Sequence, residues 1–134
     1  MEKNVIFDTD ILIDNFRGIK EAKDFLNSFR KENRFITAIS VMEIFRGARN
    51  KNELSAFKLF FYSAFKEIIY VNERICQFAV ELILNYSISH GILLPDAFIA
   101  STSMIREMEL ITRNVKHFNF ILGIKLSYPP YKSQ

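Results

Sequence analysis

The chain has 134 residues, 49% of them hydrophobic and 25% charged, which suits one folded domain over residues 1–134 and excludes a disordered chain. Its 18 Lys and Arg against 15 Asp and Glu leave a net charge of +3, too mild to argue for nucleic acid unless acids gathered in one cleft leave the rest of the surface more basic. No apolar run reaches the roughly 18 residues of a membrane span, and Met1-Glu-Lys-Asn lacks the apolar stretch of a secretion signal. Cys76 is the single cysteine, so no intrachain disulfide forms; the expectation is a cytoplasmic protein with no membrane contact and a buried, inert thiol. The fourteen Phe imply either a Phe-rich core or a helical face covered by a partner or a second copy.

In chain order, Val5-Ile-Phe reads as a buried strand, and Ile11-Leu-Ile opens a short helix stopping near Arg17-Gly18. Ala22, Phe25, Leu26 and Phe29 recur at helical steps. Phe35 to Ile39 reads as a second strand, and Ser40-Val-Met-Glu43 has the Ser-x-x-Glu form of a capping box at a helix start. Leu54, Phe57, Phe61, Ala64 and Phe65 mark the next helix, and Ile68-Ile-Tyr-Val71 a third strand. Asn72 caps a long helix carrying Ile75, Phe78, Ala79, Leu82, Ile83 and Tyr86, which Gly91 ends. Pro95 and Asp96 start a helix through about Glu107, Leu110-Ile-Thr112 forms another strand, and Ile124 to Leu126 an edge strand. This alternation predicts an α/β fold with a largely parallel sheet and helices on both faces.

Asp8, Glu43 and Asp96 each follow a short apolar run at a helix start. If the runs are neighbouring parallel strands, the acids share the carboxyl edge of the sheet, where open α/β folds build their sites. Carboxylates about 4 Å apart repel by roughly 1 to 4 kcal/mol at effective dielectrics of 80 to 20, and a divalent cation turns that repulsion into binding. Each acid also has a plainer reading: Asp8 as a helix cap, Glu43 as the capping-box partner of Ser40, Asp96 as a helix-start residue favoured by the macrodipole. Asp10 orients the site or caps the helix, and Asp14, a turn further on, faces solvent or joins it. Asn114 ligates, holds a water or caps a turn. Arg46, Arg113 and Lys116 are candidate phosphate contacts. His90 and His117 lack the paired spacing of a zinc site, and no phosphate-cradling Gly loop or Gly-x-Ser-x-Gly elbow is present.

Taken together, Ile6-Phe-Asp8-Thr-Asp10-Ile-Leu-Ile-Asp14, Ser40-Val-Met-Glu43-Ile-Phe-Arg46-Gly47, Leu94-Pro-Asp96-Ala-Phe-Ile-Ala100 and Leu110-Ile-Thr-Arg-Asn114-Val-Lys-His-Phe118 resemble the PIN-domain family, specifically the VapC-type toxins of toxin–antitoxin pairs. The motifs run in family order over nearly the whole chain. The resemblance implies a PIN-like three-layer sandwich and a metal-dependent endoribonuclease. Asp8, Glu43 and Asp96 would surround Mg²⁺ or Mn²⁺, and Asn114 would hold substrate or a water. It further implies an RNA substrate, a small VapB-like antitoxin and a homodimer. Members often carry another acid at the position of Asn114 or His117; its absence here favours a single ion held by Asp8 and Asp96 with Glu43 close by. Two alternatives stand beside this reading. Phe7-Asp8-Thr-Asp10 also resembles the opening of haloacid-dehalogenase-type phosphatases, although Leu12 stands where those enzymes want Thr or Val. A PIN module that only binds RNA or protein is the other.

Overall fold

In the computed structural model, which describes residues 2–132, five strands form one sheet in the order β3-β2-β1-β4-β5. The strands are β1 (Val5–Phe7), β2 (Arg34–Thr37), β3 (Glu67–Ile69), β4 (Glu109–Ile111) and β5 (Leu126–Ser127), and all four neighbouring pairs are parallel. β1 is central: Val5 lies opposite Arg34 on one side and Glu109 on the other. Parallel pairing puts the carboxyl ends of the strands along one edge, and every crossover needs a connection long enough to hold a helix.

The helices are α1 (Thr9–Phe16), α2 (Lys20–Asn27), α3 (Ala38–Arg46), α4 (Lys51–Ala64), α5 (Glu73–His90) and α6 (Leu94–Ile105). Alternation along each strand sorts the core into two layers. Ile6, Phe35, Ile69 and Leu110 face α5 and α6 together with Ile75, Ala79, Ala97 and Ala100. Val5, Phe7, Ile36 and Ile111 face the other side, with Ile11, Leu12, Leu26, Val41, Ile44 and Phe61. Helices therefore cover both faces, which is the three-layer arrangement expected from the sequence. Strands buried on both faces read as unbroken apolar runs, as Val5-Ile-Phe does.

The Phe surplus is internal. Phe7 packs edge-on against Phe25, Phe29 and Phe65, and Phe16 against Phe60 and Phe61, the edge-to-face geometry that aromatic quadrupoles favour, while Phe57 meets Phe16 at a tilt. The large apolar residues that do face solvent are others, Leu59, Leu84, Ile88 and Leu122 among them.

Several boundaries differ from expectation. α1 begins at Thr9 rather than Ile11 because Asp8 itself is the N-cap, accepting from the Thr9 N–H. Phe29 lies beyond α2. β2 stops at Thr37, two residues before Ile39, because Thr37 caps α3 by accepting from Ser40 N. The capping-box reading is thereby corrected: Ser40 is the third helical residue, not the cap, and Glu43 stands a turn beyond it. β3 ends at Ile69, leaving Tyr70 and Val71 exposed. The edge strand lies at Leu126–Ser127. Asn72 and Gly91 bound α5 as expected, Gly91 in the left-handed region at φ 61°. Cys76 is exposed, not buried; Ile75 and Ala79 take the core-facing stripe of α5, and one residue on turns about 100° away from it.

Candidate active site

The sheet's carboxyl edge gathers residues that are far apart in sequence. Asp8 leaves β1 directly and Thr112 leaves β4, and the Thr112 hydroxyl donates to Asp8 Oδ2 over 2.7 Å. Asp8 Oδ1 accepts from Thr9 N at 2.8 Å, so one carboxylate both caps α1 and faces the edge. In the first turn of α1, Asp10 Oδ2 accepts from the Arg113 backbone N–H at 2.9 Å and lies 3.3 Å from Thr112 Oγ1. Thr9 bridges to α3, its hydroxyl 2.8 Å from both Ser40 Oγ and Glu43 Oε1. Asp96 is the third residue of α6, after Pro95 in the first turn, and its Oδ2 lies 3.1 Å from His117 Nδ1.

These acids are costly to keep charged together. Burial pushes the Asp8 carboxyl from 3.8 up to about 7, with the charge of Asp10 and, more weakly, that of Asp96 adding to the rise against hydrogen bonds from Thr112 and Thr9. Burial likewise raises Asp10, opposed by the Arg113 amide and guanidinium. Asp96 is raised by burial too; His117 holds it down, while Glu43 and Asp10 push it up. Among the described residues, Asp10 Oδ1 is buried without a hydrogen-bond partner, a costly state for a carboxylate oxygen unless a cation or donor meets it. Hard carboxylate oxygens suit a hard divalent cation. Among the described residues, no three Asp, Glu, His or Cys side chains already stand at a spacing that would enclose an ion, so side-chain rotation would have to close the set.

The structure thus brings Asp8, Asp10, Glu43 and Asp96 to one edge. Two placements correct the expectations. Asp14 does not face solvent: its side chain is 1% exposed, 2.7 Å from Arg113 Nε, and accepts from the Tyr131 hydroxyl at 2.9 Å. Arg113 is consequently committed to Asp14 rather than offered to phosphate. Asn114 is exposed at the edge, its N–H donating to Thr112 Oγ1 at 3.0 Å. Arg46 and Lys116 are exposed. His90 instead stacks on Phe120 at 4.3 Å.

Residues that sequence reasoning passed over are Thr9, Ser40, Thr112 and Tyr131, the polar groups that tie the acids together. Thr9 between two acids and Thr112 at a strand end were visible positions, but hydroxyls are too common for either to stand out. A cavity of about 690 Å³ opens beside Glu43, lined by Ile13, Phe16, Ile44 and Phe57 with Arg17 and Arg49 also on its wall.

A model of the PIN domain matches residues 5–119, and the chain belongs to the PIN-domain family. Over 129 residues it is 31% identical to "Ribonuclease VapC10" of Mycobacterium tuberculosis, covering 95% of this chain and 92% of that protein. It is 33% identical over 132 residues to "Ribonuclease VapC1" of Methanocaldococcus jannaschii, covering 93% and 88%. Among solved structures, a toxin–antitoxin complex from Klebsiella pneumoniae contains a chain 34% identical to this one, with a TM-score of 0.78 over 96% of this chain and 99% of that one. The resemblance carried by the four sequence motifs is borne out, and the haloacid-dehalogenase alternative is set aside.

Proposed function

We propose that the chain is a Mg²⁺- or Mn²⁺-dependent endoribonuclease that hydrolyses RNA phosphodiester bonds, the toxin of a toxin–antitoxin pair acting in the cytoplasm. The observation that carries the chemistry is the meeting of Asp8, Asp10, Glu43 and Asp96 on one sheet edge, with Asp8 pushed up to about 7 and Asp10 Oδ1 unpartnered. The ribonuclease names of relatives more than 30% identical support the substrate class.

Asp8 and Asp96 would hold the ion, with Glu43 close by. When bound, it supplies Lewis acidity at the scissile phosphate and lowers the pKa of an attacking water. Glu43, held by the Thr9 hydroxyl, orients that water and takes its proton. The new bond joins water oxygen to phosphorus, the bond from phosphorus to the leaving sugar oxygen breaks, and that oxygen is reprotonated from solvent. Thr9 and Thr112 keep Glu43 and Asp8 in place through hydrogen bonds from separate elements, the support a precise site requires. Asn114, exposed at the edge, contacts the RNA, and Arg46 and Lys116 meet neighbouring phosphates.

The 690 Å³ cavity suits an antitoxin segment with apolar side chains for Ile13, Phe16, Ile44 and Phe57 and an acid for Arg17, which would block access to Glu43. Leu84 and Ile88 on α5 are 71% and 100% exposed, supporting self-association. Among the described residues, no helix is long and apolar enough to cross a membrane.

The test is cleavage of single-stranded and structured RNA with Mg²⁺, Mn²⁺ or chelator, beside Asp8→Asn and Asp96→Asn. Cleavage requiring metal and lost in both variants is expected. Metal-independent cleavage, cleavage undiminished in both variants, or RNA binding without turnover would overturn the proposal.

A further inference from the structure

His117 belongs to none of the groups assigned above, yet among the described residues it makes the one side-chain hydrogen bond to Asp96, 3.1 Å from Nδ1 to Oδ2. The His117 side chain is 49% exposed and the Asp96 side chain 16%. An ionised carboxylate can only accept. Nδ1 is therefore the donor, and in the neutral ring this fixes the tautomer with Nε2 unprotonated.

An exposed contact of this length usually contributes little. This one differs in how its donor is carried. His117 closes a single 3-10 turn, Val115–His117, whose backbone is pinned by His117 N to Asn114 O at 2.9 Å and Asn119 N to Val115 O at 2.8 Å. The next side chain, Phe118, is fully buried. At the start of the turn, the Asn114 N–H is held by Thr112 Oγ1, the same hydroxyl that donates to Asp8. A continuous tie therefore runs from Asp8 through Thr112 and the turn to His117 and Asp96. The backbone of Asp96 is already fixed by α6 and Pro95, so the freedom His117 removes is rotation of the carboxylate itself.

The geometry points to His117 as a positioning residue: by donating to Asp96 Oδ2 it holds the carboxylate in one rotation and leaves Oδ1 without that donor, the orientation in which Asp96 would help hold a single divalent cation. This rests on the metal-nuclease reading and adds to it the group that orients the second acid. Partners that orient ligating carboxylates act on affinity itself, their loss typically costing about 10- to 100-fold.

The experiment measures Mn²⁺ binding to the intact chain without RNA, by calorimetry and by electron paramagnetic resonance, for wild type, His117→Ala, His117→Asn and His117→Gln. Asn can place an amide N–H near the position of Nδ1, whereas Gln reaches toward the position of Nε2. The expected result is one Mn²⁺ per wild-type chain, roughly 10-fold or greater weakening in His117→Ala and His117→Gln, recovery to near wild-type affinity in His117→Asn, and unchanged melting of the metal-free variants. Nitrogen-15 shifts of the His117 ring are expected to report the Nδ1–H tautomer. Wild-type affinity in His117→Ala would overturn the positioning role while leaving the nuclease reading intact. Equal weakening in all three variants would trace the effect to the fold of the turn and overturn it as well. No Mn²⁺ binding by wild type would remove the metal reading and this inference together.

Discussion

Replacing Asp8 by Asn should abolish cleavage and yet make the metal-free protein more stable at neutral pH. Folding raises the Asp8 carboxyl from 3.8 to about 7. Between those values the unfolded chain has released the proton that the folded chain keeps, so stability is greatest below about 3.8 and declines as pH rises through about 7. At about 1.4 kcal/mol per unit, the full shift is worth about 4 kcal/mol. Asp10 and Asp96 are raised in the same direction. Because water reaches the sheet edge, a working range for the Asp8 contribution is about 2–4 kcal/mol. Asn keeps the local bonds: its oxygen can accept from Thr9 N, and its amide can donate to Thr112 Oγ1, freeing that hydroxyl to turn toward Asp10 Oδ2 at 3.3 Å. For a chain of this size the gain corresponds to roughly 8–15 °C in melting temperature. The assay is thermal and urea unfolding from pH 5 to 8.5 in chelator. Wild type should lose stability from pH 5 to about 7 and level off above it, Asp8→Asn should show a flatter profile, and added Mg²⁺ should raise the melting point of wild type but hardly that of the variant. Wild-type stability that is level from pH 5 to 8, or a variant less stable than wild type at pH 8, would refute the reasoning.

Glu43→Gln keeps size and shape but cannot take a proton, and RNA cleavage should fall by about 10²–10⁴-fold at unchanged RNA affinity, read by single-turnover kinetics and binding titration. Arg113→Ala leaves Asp14, whose side chain is 1% exposed, with the Tyr131 hydroxyl as its one remaining side-chain partner among the described residues; a loss of about 3–5 kcal/mol is expected in urea unfolding. Thr112→Val removes the hydroxyl that donates to Asp8 and accepts from Asn114 N, and about 1–3 kcal/mol of stability should go with it, together with cleavage.

β1, β2 and β4 were legible because they are buried on both faces and so read as apolar runs, and α5 because Asn72 and Gly91 bracket it. Boundaries slipped where a side chain did two jobs. Asp8 is at once the end of β1, the cap of α1 and a site residue, and a reading that looked for one role placed the helix start two residues late. Ser40 and Glu43 matched a capping pattern by spacing, but Thr37 took the cap first, and the rule had no way to rank two hydroxyls three residues apart. That slip mattered for function, since it gave Glu43 a structural excuse it does not need. The acids themselves were readable, but only Asp8 leaves a strand directly: Glu43 lies in the second turn of α3, and Asp96 lies in the first turn of α6, where the run Ile92-Leu-Leu forms loop and helix start rather than the expected strand. Their supports were not: the contacts of Asp14 with Arg113 and Tyr131 span 99 and 117 residues, and no local pattern encodes them. The exposure of Cys76 was a matter of helical phase, settled by Ile75 and Ala79 claiming the core.

The position of β1 also bears on when activity can arise. The first strand made is the middle of the sheet, and its second edge stays open until β4 exists; Asp8 then meets Thr112 across 104 residues. A nascent or truncated chain that stops before β4 carries Asp8, Glu43 and Asp96 but lacks the strand and hydroxyl that seat Asp8. In a protein threaded in this order, RNA cleavage is expected only once β4 has joined the sheet and Thr112 has reached Asp8.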